Sequence, residues 1–230
     1  MKILMVLTSH AELGETGHKT GFWLEEFAAP YYAFVDAGAE VTLASVAGGQ
    51  PPIDPRSSEP ESQTEATRRF EQDAQTQAQL AQTVPLDQVS PGDYNALFFP
   101  GGHGPMWDLA SSEATARLVE TFYSQGKVIG AVCHGPAALV LAKDAQGQSI
   151  LQGKQVTGFT NEEEIAVALD QVVPFALETR LAELGGRFYG GAKFQPNVVV
   201  DGRLITGQNP PSSEPTAKAV IQALKQVALT

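Results

Sequence analysis

Four short runs constrain the fold more than anything else in the chain: "KILMVLT" (2–8), "EVTLASV" (40–46), "YNALFFP" (94–100) and "KVIGAV" (127–132). Each is nearly continuous in apolar residues, and each ends in Gly, Pro or polar residues. Such runs suit strands buried on both faces, as in a parallel sheet. Between them lie segments with helical spacing. "FWLEEFAAPYYAFVDAG" (22–38) closes on Gly38, and its internal Pro30 predicts a kink or break. "SEATARLVETFYSQG" (112–126) is capped by Ser111 or Ser112. "PAALVLAK" opens a helix after the fourth strand, with Pro136 in its first turn. Further on, "KQVTGFT" (154–160) reads as a strand, "NEEEIAVAL" and "PFALETRLAELGG" (174–186) as helices, and "NVVVDGRLITG" (197–207) as a hairpin turning at Asp201-Gly202. An amphipathic helix (212–229) closes the chain. Alternating strands and helices predict an α/β fold: a mostly parallel sheet with helices on both faces, whose ligands bind beyond the strand carboxyl ends.

One stretch interrupts this rhythm. "AGGQPPIDPRSSEPES" (47–62) is rich in breakers, and "TEATRRFEQDAQTQAQLAQT" (64–83) is polar enough for one solvated helix. With the residues up to 93 they form an insertion, which either covers a site or decorates the surface. No repeat or linker divides the chain, so a single domain over 1–230 is expected.

Composition narrows the function classes. Fifteen basic against 26 acidic residues give a net charge of -11, which repels nucleic acid and anionic membrane surfaces. The apolar start "MKILMVL" is too short for a signal peptide and no later run could span a bilayer, so a cytoplasmic protein is expected. The single cysteine, Cys133, excludes an internal disulfide and any multi-cysteine metal cage. His10, His18, His103 and His134 show none of the usual ligand spacings, although histidines on adjacent loops could converge; no metal is expected.

The chemistry concentrates at "AVCHGP". Small-x-nucleophile-x-Gly is the form of a nucleophile elbow, with Ala131 and Gly135 letting strand and helix approach. A thiol there would lie over a helix N-terminus that favours the thiolate, the nucleophilic form. A buried structural cysteine is the bland alternative. His134 could serve as base or charge partner, and Glu162, Glu163 or Glu164 could orient it, although Asn161-x-x-Glu164 is also a capping-box pattern. The glycines of "FFPGGHG" could turn N–H groups toward an oxyanion. Glu25 or Glu26 could face the thiol from the first helix; a carboxyl buried there would hold or share a proton.

Taken together, "AVCHGPAAL", "FFPGGHG", "HKTGFWLEE", "VTGFTNEEE" and "DGRLITGQNP" resemble the DJ-one/ThiJ/PfpI superfamily, above all the branch typified by heat-shock protein thirty-one. The resemblance runs over roughly residues 2 to 225. It implies a flavodoxin-like three-layer sandwich, usually a homodimer, with the insertion near 47–93 as a flap. It places the nucleophile on Cys133, its neighbour on His134, the acid of the triad on Glu164 and the acid against the thiol on Glu26. Oxyanion donors would be the backbone N–H groups of Gly101, Gly102 and His134. The implied activity is a cofactor-free, glutathione-independent glyoxalase turning methylglyoxal, a small reactive carbonyl, into D-lactate through a Cys133 hemithioacetal. A holdase chaperone, a redox-sensing stress protein, and a cysteine peptidase, amidase or deglycase are the alternatives. A glutamine amidotransferase would need a histidine late in the chain, and none follows position 134.

Overall fold

The structure, a computed structural model, describes residues 1–229. Its strands are β1 (Lys2–Leu7), β2 (Glu40–Ser45), β3 (Val84–Pro85), β4 (Ala96–Phe99), β5 (Val128–Val132), β6 (Gln155–Val156), β7 (Arg187–Phe188), β8 (Val198–Asp201) and β9 (Leu204–Gly207). The α-helices are α1 (Leu24–Asp36), α2 (Glu65–Glu71), α3 (Ala74–Leu80), α4 (Glu113–Ser124), α5 (Asn161–Ala166), α6 (Leu177–Glu183) and α7 (Ser213–Val227). Seven strands form the main sheet in the order β3-β2-β1-β4-β5-β9-β8. All neighbours are parallel except the β8–β9 hairpin, and β6–β7 stand apart as a parallel pair.

The apolar runs are buried on both faces because successive side chains alternate between two cores. Ile3, Met5, Leu7, Phe98 and Val132 point to the side of α1 and α7, where Phe27, Phe34, Ala217 and Val220 meet them. Leu4, Val6, Leu97, Phe99 and Ala131 point to the side of α4, toward Leu118, Val119 and Phe122. This is the three-layer, flavodoxin-like arrangement. Chain order reverses between β1 and β4, which opens a crevice at their carboxyl ends.

Several elements differ from the reading of the sequence. Helix α1 runs unbroken through Pro30. Burial of nearly every residue from Glu26 to Tyr32 offsets a lost hydrogen bond that would break an exposed helix. The polar stretch 64–83 forms two helices, α2 and α3, joined at Asp73, whose side chain caps α3. They are docked rather than solvated: Phe70 and Leu80 are buried in the core with Phe27 and Tyr31, and Tyr31 and Tyr32 hydroxyls reach Gln79 and Asp73. The insertion also supplies edge strand β3, where Pro85 needs no ladder partner on its outer side. Among the described residues no α-helix opens directly after Cys133. Gly135–Leu139 is a short 3-10 helix, buried on every side and so without a polar face on which to extend. Strand 154–160 shrinks to β6, the 174–186 helix shortens to α6, and the hairpin loop is Gly202-Arg203, with Gly202 at φ 59°. The cap of α4 is Ser112, whose hydroxyl accepts the Thr115 N–H at 3.1 Å.

Candidate active site

Strand β5 delivers Cys133 to the crevice in a conformation that non-glycine residues avoid, φ 61°. Both of its main-chain groups are tied down. Its N–H donates to Gly207 O at the end of β9, and its C=O accepts the Phe159 N–H, each at 2.9 Å. Gly135 is needed beside it, since a Cβ there would collide with the Phe99 carbonyl of β4. The elbow predicted from "AVCHGP" therefore forms, but the force expected to ionise the thiol does not. With only a five-residue 3-10 helix behind it, no helix dipole of useful size points at Sγ. Burial, and then the neighbouring Glu26 carboxyl, push the Cys133 thiol well above its ordinary value.

Glu26 and Glu25 are separated by the orientation of α1. Glu25 turns outward to the Thr64 hydroxyl, whereas Glu26 is wholly buried. The Glu26 carboxyl lies against the Cys133 side chain and the Gly101 N–H. Neither of its oxygens meets a conventionally placed hydrogen-bond partner. Burial raises Glu26 well above the usual carboxylate range, so it holds a proton that it can offer to sulfur. A Cβ on Gly101 would strike Glu26 Oε2, Val132 O and the His134 nitrogen, so only glycine lets the carboxyl close on the elbow.

On the other side of the sulfur, His134 Nδ1 lies 3.5 Å from Sγ, and His134 Nε2 lies 2.6 Å from Glu164 Oε2. Glu164 is free for this because the capping box of α5 forms one residue earlier than the pattern suggested. Thr160 and Glu163 make it, not Asn161 and Glu164. Glu163 is buried and fully engaged with Thr160, Gln208, Asn209 and the Phe194 N–H, so it builds the loop that carries its neighbour. Its other neighbour, Glu162, lines an open polar groove with Glu178 and Glu183, well away from the thiol. Among the three glutamates, Glu164 alone meets the imidazole. Two imidazoles and Arg56 hold its carboxyl far below the usual range.

The second imidazole belongs to His103. Its Nε2 lies 2.6 Å from Glu164 Oε1, and its ring sits 4.1 Å from that of His134. Burial and the proximity of His134 push His103 down to about 4, so it is neutral. In the sequence His103 stands out only as a histidine without the usual metal-ligand spacing. Its position in "GGHG", at the end of one strand as "CHG" ends the next, was the available signal. His103, His134 and Glu164 do converge, with ligand atoms within 4.8 Å of one another. Yet each nitrogen–oxygen separation of 2.6 Å is that of a hydrogen bond. Two ligands on one tetrahedral zinc would stand about 3.3 Å apart.

Cys133, Glu26, His134 and Gly102 open on a cavity of about 210 Å³, walled by Trp23, Phe159, Val167, Phe194 and Pro210, with Arg56 and His103 on one side. Gly102, at φ 96°, is pressed against the Gly21–Trp23 backbone, where a side chain would not fit. A neutral carboxylic acid, a thiol and a carboxylate-oriented imidazole around a mostly apolar chamber can add sulfur to a small electrophile and then move protons.

Residues 18–223 match the profile described as the DJ-1/PfpI family. The chain is 31% identical to Glyoxalase 3 of Candida albicans, covering 98% of this chain and 99% of that protein. It is 30% identical to glutathione-independent glyoxalase HSP31 of Saccharomyces cerevisiae, covering 97% and 98%. Among solved structures, the Rapid Encystment Protein 24 kDa of Francisella tularensis superposes with a TM-score of 0.93 at 40% identity, covering 97% and 98% of the two chains. The glyoxalase III of Candida albicans superposes with a TM-score of 0.90 at 28% identity, covering 97% of each. Among the described residues no helix is long and apolar enough to cross a membrane.

Two stability measurements test the electrostatic and backbone accounts. Left-handed backbone costs an L-residue about 1–2 kcal/mol, part of which glycine gives back through a more disordered unfolded chain. Cys133→Gly is therefore expected to be more stable to urea than Cys133→Ala by about 1 kcal/mol; equal stabilities would deny the strain. Glu26 keeps a proton in the fold that the unfolded chain releases above its ordinary value of 4.5. The wild type thus loses stability as pH rises from there toward the raised folded value, and Glu26→Gln does not. Urea titrations should show the variant gaining on the wild type by about 1.4 kcal/mol per pH unit above that point.

Proposed function

The chain belongs to the DJ-1/PfpI family, and from that premise we propose that it is a cofactor-free cysteine enzyme, a glutathione-independent glyoxalase of the glyoxalase III type. One observation carries the reading: a sulfur held at a strained turn between a buried carboxylic acid and a carboxylate-bound imidazole, facing a cavity of about 210 Å³.

The reaction follows from the groups present. Sγ forms a bond to the aldehyde carbon of methylglyoxal as its proton passes to His134 Nδ1, 3.5 Å away. The oxygen of that carbon takes a proton from Glu26 or His134, which gives a hemithioacetal and frees that group to act as a base. Backbone N–H groups of Gly101, Gly102 and His134 are assigned to the developing oxyanion. The carbon-bound hydrogen then leaves as a proton to Glu26 or His134, giving an enediol, and a proton returns to the neighbouring carbon. Water cleaves the resulting thioester, which releases D-lactate and the thiol. One water is consumed and no electrons are exchanged, so no cofactor is required. Glu164 stabilises His134 whenever that ring carries the proton. General acid–base help of this kind is worth about 10²–10⁴-fold.

The same proposal includes a homodimer in the cytoplasm and a single domain whose 47–93 segment acts as a flap, since that segment brings Arg56 to the cavity. A cavity of about 210 Å³ suits a small carbonyl compound better than a peptide segment of several residues, which favours the glyoxalase over a peptidase. Incubation of the purified protein with methylglyoxal, without glutathione, should give D-lactate by chiral assay. Cys133→Ala should abolish this, and Glu26→Gln should lower kcat by about 10²-fold or more. Full turnover by Cys133→Ala would end the proposal, and absence of D-lactate with the wild type would turn it toward a holdase or redox sensor.

A further inference from the structure

Glu164 is shared. Each of its oxygens receives a different imidazole, His134 on Oε2 and His103 on Oε1, both at 2.6 Å. An ionised carboxylate can only accept, so both Nε2 atoms must carry their protons. A neutral imidazole then has its lone pair on Nδ1. At His134 that nitrogen faces Sγ at 3.5 Å. At His103 it faces Arg56 Nη2, also at 3.5 Å, and a guanidinium can only donate. Arg56 is in turn clamped by the buried Asp54, Nε to Oδ1 at 3.1 Å and Nη2 to Oδ2 at 2.6 Å. With both imidazoles neutral, the chain of contacts Asp54–Arg56–His103–Glu164–His134–Cys133 has one consistent assignment of protons.

We infer that His103, anchored by Arg56, is a positioning residue for the reaction: it fixes the Glu164 carboxylate so that His134 turns an unprotonated Nδ1 toward the thiol. The two ends of the carboxylate are made unequal. The His103 end has a cation against its free nitrogen, while the His134 end has a thiol. A proton that leaves the thiol meets the free Nδ1 of His134, and the Glu164 carboxylate at Nε2 balances the charge on that ring. Of the groups facing His103, Arg56 and His134 oppose its protonation and Glu164 favours it, while burial outweighs the carboxylate. Cys133, Glu26 and Glu163 lie farther along the same cluster.

The kinetic half of the test rests on the glyoxalase reading, but the spectroscopic half does not. In the whole protein labelled with ¹⁵N-histidine, both buried imidazoles are expected to carry a proton on Nε2, and His103 to be neutral at pH 7. A His134 protonated on Nδ1, or a charged His103, would overturn the inference whatever the enzyme does. In kinetics, His103→Gln keeps a donor for Glu164 and an acceptor for Arg56, whereas His103→Phe keeps only the ring. His103→Phe should lose about 10²-fold in kcat at unchanged KM. His103→Gln should recover most of the loss. Equal losses in both variants, or a change in KM alone, would mean a packing role only. Should His103→Phe not fold, Arg56→Met decides: the His103 titration must rise from about 4, and an unmoved midpoint refutes the anchoring.

Discussion

Two hydrogen bonds hold the whole arrangement. They fasten the main chain of Cys133 to Gly207 on one side and to Phe159 on the other, and they keep that residue at φ 61°. A left-handed cysteine is unfavourable by itself and persists because the surrounding sheet over-determines it. The first bond comes from the end of the neighbouring strand β9. The second comes from the loop that leads into α5, so one tie sets both the turn of the sulfur and the approach of Glu164. Release of the second would relax the elbow and withdraw the acid together.

Around this turn the charge balance differs from that of a thiol ionised by a helix. The sulfur and Glu26 are both buried; burial keeps each of them protonated, and the Glu26 carboxyl further disfavours the thiolate. The negative charge of the site lies on Glu164 instead, where two imidazoles and Arg56 stabilise it. One side of the sulfur is thus a proton donor and the other a proton acceptor. That asymmetry is what a reaction with two successive proton movements needs.

The scaffold contributes through close approach. Gly101 and Gly135 leave no room for a Cβ between β4 and the elbow, and the Glu26 carboxyl occupies the space beside Gly101. The 47–93 segment looks like decoration in its polar composition. Its Phe70 and Leu80 nonetheless anchor it to α1, the helix that carries Glu26, and its Arg56 reaches the histidines. The acid that meets the thiol and the cation that braces His103 are therefore positioned by neighbouring, interlocked pieces.

Much of this was legible in the order of residues. Continuous apolar runs specify strands covered on both faces, because no other element buries five successive side chains at a period of two. Small residues around Cys133 specify a tight turn, because only they let a strand double back. Those local rules determined the α/β class, the position of the nucleophile and the candidates around it. Tertiary contacts decided the rest. Whether Glu25 or Glu26 turned inward depended on how α1 lay on the sheet. Whether Glu163 or Glu164 met the imidazole depended on a cap formed at Thr160. His103 became a partner only when two strand ends came side by side, and the ionisation of the thiol depended on burial. None of these is a property of neighbouring residues: each is set by distances between segments far apart in the chain, which periodicity and spacing do not encode.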